Sequence, residues 1–180
     1  KSNPKPNQLN FNKNKIEIEF DEIIQVDKPT EKVIVSPAQK NMPQIQTSGR
    51  KVIVELQDSL IPNTTYTIDF SDAISDNNER NPLYNFSFSF ATGNSIDTLQ
   101  IGGVLLNAEN LEPVTGMLVG LHSNLNDSAF TKTPMQRIAK SDAYGRFSIK
   151  NIGAGTYRIY GLNDANRDYK FDNPSENIAF

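Results

Sequence analysis

Strict alternation of apolar and polar residues is the strongest signal along this chain. Ile16, Ile18 and Phe20 alternate with Glu17 and Glu19, and Val52, Val54 and Leu56 with Ile53 and Glu55. Tyr66, Ile68 and Phe70 alternate with Thr67 and Asp69, and Phe86, Phe88 and Phe90 are separated by serines. A period of two sends every second side chain to one face, so each run predicts a strand with one buried side. At that spacing the phenylalanine stripe predicts core rather than an aromatic binding platform. Val33-Ile34-Val35 adds a further short run before Ser36-Pro37, and Pro62-Asn63-Thr64-Thr65 turns the chain into Tyr66. No stretch carries a helical period. Short strands bounded by turn residues predict an antiparallel β-sandwich with Greek-key connections.

The pattern stops at Gly93-Asn94-Ser95 and restarts at Ile96-Asp97-Thr98-Leu99, which predicts a domain boundary. Beyond it, Ile101 to Leu106 opens a second set of strands, and Met117, Val119 and Leu121 alternate. Ser141 to Gly145 is a turn cluster, after which Phe147 and Ile149 alternate, Gly153-Ala154-Gly155 punctuates, and Tyr157 and Ile159 alternate again. That sequence predicts a β-hairpin from Arg146 to Tyr160. The fold class is therefore all-β, with two consecutive antiparallel sandwiches. Residues 1–10, polar and holding two prolines, are expected to be an extended leader. Residues 11–94 and 95–180 are expected to be the two domains, the second continuing beyond this piece of a longer protein.

Composition narrows the function. A formal charge of −3 with scattered lysines offers no basic track for a phosphate backbone, so no nucleic-acid partner is expected. The absence of cysteine excludes disulfides, thiolate metal sites and cysteine nucleophiles. It also leans toward an exported protein. The chain starts at Lys1 and has no apolar run long enough to span a membrane, so a mature or trimmed, monomeric product is expected.

The residues also carry two resemblances. IEIEFDEII, KVIVSP, KVIVEL, LIPNTTYTIDF, SDAISDNNERN and FSFSFATG resemble the bacterial immunoglobulin-like domain of surface-layer proteins and Gram-negative surface lipoproteins, over roughly Phe11 to Gly93. IGGVLLNAENLEPVTGMLVGLHS followed by SDAYGRFSIKNIGAGTYRI resembles the carboxypeptidase regulatory-like domain, a prealbumin-like sandwich, from Leu99 to about Gly161. The lysine-to-asparagine crosslink of related pilin and adhesin domains is not carried over, because Ile101 to Leu106 has no lysine. Together the resemblances imply a non-catalytic structural or adhesive module at the cell surface, outer membrane or periplasm, with a lipid anchor upstream and an unidentified protein or glycan partner. The alternatives are a carbohydrate-binding module, or the accessory domains of a larger enzyme.

One loop carries candidate chemistry. Asp164, Asn166, Asp168 and Asp172 stand at positions 1, 3, 5 and 9, with the Lys170 carbonyl at position 7, a spacing that lets a curled loop aim oxygens at one calcium ion. Tyr169 stands where glycine is usual, and Glu176 falls one place past the usual bidentate glutamate. The reading beside it is a cluster of Asx-turns on a solvated loop. A second acidic stretch, with Asp69, Asp72, Asp76 and Glu79, is expected to be a turn held by side-chain-to-backbone bonds. His122, the only histidine, follows inward-facing Leu121 and is expected to point outward, as a surface residue rather than a general base.

Overall fold

A computed structural model describes residues 1–180. The protein is all-β, with antiparallel sheets forming two sandwich-like regions. By packing it divides into one unit of Lys1–Val35 with Gln39–Ile96 and a second of Ser36–Ala38 with Asp97–Phe180.

The first unit holds β1 (Ser2–Asn3), β2 (Lys15–Glu19), β3 (Ile24–Val26), α1 (Pro29–Lys32), β4 (Ile34–Ser36), β5 (Gln44–Ser48), β6 (Lys51–Glu55), β7 (Thr65–Ser71), β8 (Ile74–Asp76) and β9 (Phe86–Ala91). Its sheets run β1-β2-β6-β5, β4-β7-β9 and β3-β8. The alternating runs become the two principal layers, because Ile16, Ile18, Val52 and Val54 from one face Ile68, Phe70, Phe88 and Phe90 from the other in a single apolar cluster. Register sets Tyr66 opposite Phe90 and Ile68 opposite Phe88. Phe90 stacks on Tyr66 at 5.2 Å between ring centroids and meets Phe11 edge-on at 5.1 Å. The phenylalanine stripe is therefore core, as its spacing predicts.

The extended leader is corrected by the structure. Ser2 and Asn3 pair with Ile18 and Glu17 as an edge strand. Asn7 N donates to Ser89 O, Ala91 N to Gln8 O and Asn10 N to Gly93 O, each at 2.8 Å. Polar side chains and prolines suit an edge, where one face is wet and the backbone supplies the pairing.

The second unit holds β10 (Leu99–Val104), β11 (Leu118–His122), α2 (Ala129–Lys132), β12 (Arg137–Lys140), β13 (Arg146–Ile152), β14 (Arg158–Leu162) and β15 (Ile178–Ala179). One layer is β12-β11-β14-β15 and the other is β10-β13. The small core between them gathers Val119, Leu121, Ala139, Ile149 and Ile152, with Leu105, Phe147 and Tyr157 at its margin. Gly103 lets the Phe147 ring lie over β10, where a Cβ would collide with it.

The hairpin expected from Arg146 to Tyr160 does not form. β13 pairs with β10 and β14 with β11, so the Gly153-Ala154-Gly155 turn carries the chain from one layer to the other. A bulge helps to redirect it: the β10–β13 register shifts between Leu99 and Ile101, and Asn151 opposite takes a left-handed φ of 56°. Asn151 Nδ2 also donates to Asp97 O at 2.8 Å. No helix of the protein is long and apolar enough to cross a membrane.

Candidate functional site

The acidic loop closes the end of β14 and β15, which pair through Gly161–Ala179 and Leu162–Ile178. Asn163 N donates to Asn177 O at 2.8 Å, so the intervening segment must curl on itself. Asp164 begins the curl by turning both oxygens onto the backbone: Oδ1 accepts from Arg167 N at 2.7 Å and Oδ2 from Tyr169 N at 2.9 Å. To present those amides, Arg167 and Tyr169 adopt left-handed φ values of 63° and 62°. Tyr169 thus takes the conformation for which glycine is usual at that place.

Asp168 and Asp172 come together around a cation that the chain itself supplies. Lys170 Nζ lies 3.0 Å from Asp168 Oδ2 and 3.1 Å from Asp172 Oδ2. Asn166 joins them, its Nδ2 donating to Asp172 Oδ1 at 3.1 Å while its Oδ1 accepts from Asp168 N at 3.3 Å. The side chain of Lys170, not its carbonyl alone, is the element that spacing missed. Burial pushes the Asp168 carboxyl up, but the Lys170 ammonium, the Lys170 amide and Asp172 together hold it below its usual range. Asp168, followed by Asp172, raises Lys170 in turn. Asp164 goes the other way: burial raises it, and the Asp168 charge adds to the rise against three backbone amides. No three carboxylate or imidazole groups converge into a metal cage.

Glu176, only 5% exposed, fastens the loop. Its Oε1 accepts from Ala165 N at 3.1 Å and its Oε2 from Asp172 N and Asn173 N at 3.3 Å each. The signal for it was present in the sequence as the late glutamate, but a misplaced metal ligand and a backbone clasp look alike at that level.

His122 is corrected as well, since it is 1% exposed rather than outward on the surface. β11 lies inside its sheet, and both faces of that sheet are covered. On the face away from the small core, Tyr160 meets His122 edge-on at 5.7 Å, and Phe130 of α2 lies 5.0 Å from Tyr160. Met135 packs so closely on Gly120 that a Cβ there would collide with it. The acidic loop is tied to the same cover, Met135 N donating to Tyr169 O and Phe171 N to Phe130 O, both at 2.9 Å.

The Nε2 of His122 is buried without a hydrogen-bond partner. Burial holds the imidazole below its usual pKa. The unfolded chain therefore takes up a proton near pH 6.5 that the native state refuses until lower pH, and stability falls as pH drops through that interval. Melting of the second unit is expected to decline as the pH falls below about 6.5, and to decline less steeply in His122→Phe. Parallel pH profiles for the two proteins would refute the buried imidazole.

The second acidic stretch is the expected side-chain-held turn. Asp76 Oδ1 accepts from the amides of Asn78, Glu79 and Arg80 and Oδ2 from Asn81 at 2.8 Å. Those amides, Glu79 first, lower its carboxyl pKa against the opposing effect of burial. Asp72 instead pairs with Lys32 at 3.1 Å, which also meets Asp27 at 3.1 Å.

No curated protein matches the sequence. Among solved structures, the N-terminal part of the bacterial S-layer protein SbsC is similar at a TM-score of 0.35 and 12% identity, over 94% of this chain and 42% of that one. A variant of BcpA, the major pilin subunit of Bacillus cereus, is similar at a TM-score of 0.27 and 16% identity, over 89% of this chain and 57% of that one. The chain thus spans less than two thirds of either. The family model described as bacterial Ig-like domain matches residues 1–92. That match takes in the edge strand at Ser2 and the whole of the phenylalanine-lined sandwich, and the chain belongs to the bacterial Ig-like domain family.

Proposed function

We propose that the chain is a non-catalytic structural or adhesive module of an exported, surface-anchored bacterial protein. The observation that carries this is the bacterial Ig-like match over a sandwich whose strands are spent on a closed apolar core. The chemistry of the second unit agrees, since its one histidine is buried against Tyr160 and its Nε2 has no hydrogen-bond partner. We assign residues 95–180 to the carboxypeptidase regulatory-like, prealbumin-like type, supported by the antiparallel layers β12-β11-β14-β15 and β10-β13. A lipid anchor upstream and a protein or glycan partner belong to the same proposal. Purified chain is expected to turn over nothing in a glycoside, ester and peptide panel. Turnover that survives repurification would overturn the reading, and a saturable, specific hit on a glycan array would replace it with the carbohydrate-binding one.

The proposal keeps calcium as a ligand of the acidic loop, through Asp164, Asn166, Asp168, the Lys170 carbonyl and Asp172. Calcium would displace the Lys170 ammonium from between the two carboxylates, so ion and lysine compete for one place. At a hundredfold excess over its dissociation constant the ion is expected to stabilise the second unit by about 2.7 kcal/mol. Lys170→Met is expected to weaken the loop in chelator and to enlarge the calcium effect, because two carboxylates then face each other uncompensated. Superimposable melts in chelator and in millimolar calcium, for both proteins, would leave the loop as a lysine-clamped turn.

A further inference from the structure

We propose that the first unit is a shear clamp, a module built to carry tension between the point where the chain enters it and the point where the chain leaves. The geometry stands by itself, and only its use, bearing load in a surface-anchored chain, rests on the reading above. β9 is the last strand of the sheet β4-β7-β9. The entry segment covers its outer edge and runs in the same direction, with Gln8 bridging Phe90 in parallel. Asn7 N donates to Ser89 O, Ala91 N to Gln8 O and Asn10 N to Gly93 O, each at 2.8 Å, so the pairing climbs from residue 7 to 10 as it climbs from 89 to 93. Phe11 N then turns back to Ala91 O at 3.0 Å.

Direction decides what a pull does. Tension arriving from the N-terminal side draws Asn7 back toward Lys1, and tension from the C-terminal side draws Gly93 on toward Ile96. Because the two segments are parallel, these pulls slide one along the other, and the load falls on all four hydrogen bonds together. In an antiparallel pair joined by a turn, the same pulls would act at neighbouring ends and open the bonds one at a time. The two-residue β1, paired with β2 ahead of this segment, is too short to take the load in its place.

Both partners are fastened behind the clamp. The buried Phe11 ring meets Phe90 edge-on at 5.1 Å, so sliding must also drag one core ring past another. On the exit side, Thr92 N donates to Thr64 O at 3.0 Å and Thr92 Oγ1 to Ile61 O at 2.7 Å. Gly93 lies so close to Asn63 that a Cβ there would collide with the Asn63 Cα. β9 therefore stays seated up to the residue where the chain leaves. Sliding breaks hydrogen bonds and strips apolar contact in one step, and forced unfolding is governed by that barrier rather than by overall stability.

The chain has no cysteine, so two introduced cysteines fix where force is applied. In the full chain, handles on Lys5→Cys and Asn94→Cys load the clamp in shear. Handles on Asn12→Cys and Asn94→Cys leave residues 7–10 slack and peel β9 from its exit end. All of these positions are exposed. In single-molecule force spectroscopy at one pulling speed, the first pair is expected to unfold at several-fold the force of the second, although the two proteins share one melting temperature. An equal or lower force for the first pair would overturn the proposal. Should Asn12→Cys melt early, the exposed Lys13→Cys takes its place in the same comparison. The force ratio reads the clamp alone, and protease treatment of intact cells reads surface display alone, so either can fail without the other.

Discussion

Phe88→Asp is expected to unfold the first unit or to leave it barely folded. Phe88 is 4% exposed, opposite Ile68 in the β7–β9 register, inside the cluster that joins the two layers. An aspartate there loses the ring's burial and places a carboxylate where only hydrocarbon faces it. The cost is about 3 kcal/mol or more, a large share of a domain's whole stability. Circular dichroism melts of wild type and variant measure it directly. An unchanged melting temperature would mean that the stripe faces solvent, and the reading of residues 1–92 as a closed sandwich would fail with it.

Glu176→Ala should have the largest effect in the second unit. The substitution strips acceptors from the part-buried amides of Ala165, Asp172 and Asn173 at once. Hydrogen bonds to a charged acceptor contribute more than neutral ones, so a loss of about 2 kcal/mol is expected. Glu176→Gln keeps one acceptor oxygen and is expected to fall between. Because Tyr169 O and Phe171 N tie the loop to Met135 and Phe130, amide hydrogen exchange should quicken at Met135 as well as within the loop. Faster exchange confined to Ala165, Asp172 and Asn173 would show that the loop is not coupled to the aromatic cover.

Long alternating runs announced themselves, because burial on one face leaves a mark at every second residue. Tyr66 to Phe70 and Phe86 to Phe90 lie within their strands, and Ile16 to Phe20 and Val52 to Leu56 overrun theirs only by the last residue. The two-residue β1 and the three-residue β3 and β8 are too short to hold a period, and exposed β5 has little apolar pattern to read. Alternation also says which face is buried but not which strand lies alongside, so β13 and β14 passed for a hairpin although each pairs elsewhere. His122 was misread for a related reason. The rule that neighbours face opposite ways held, yet both faces of β11 are covered, the second by Tyr160 of β14 and Phe130 of α2. In the loop, spacing brought out Asp164, Asn166, Asp168 and Asp172. It could not show that Asp164 spends its oxygens on amides, or that the Lys170 ammonium turns inward between Asp168 and Asp172.

The central claim is that this chain is a structural module displayed outside the cell, and surface shaving tests it most directly. Intact bacteria carrying the epitope-tagged native protein are treated with protease, alongside lysed cells and a cytoplasmic marker. The account predicts that the tagged chain is lost from intact cells while the marker survives. A chain protected in intact cells, and cleaved only when the marker is cleaved, would contradict it.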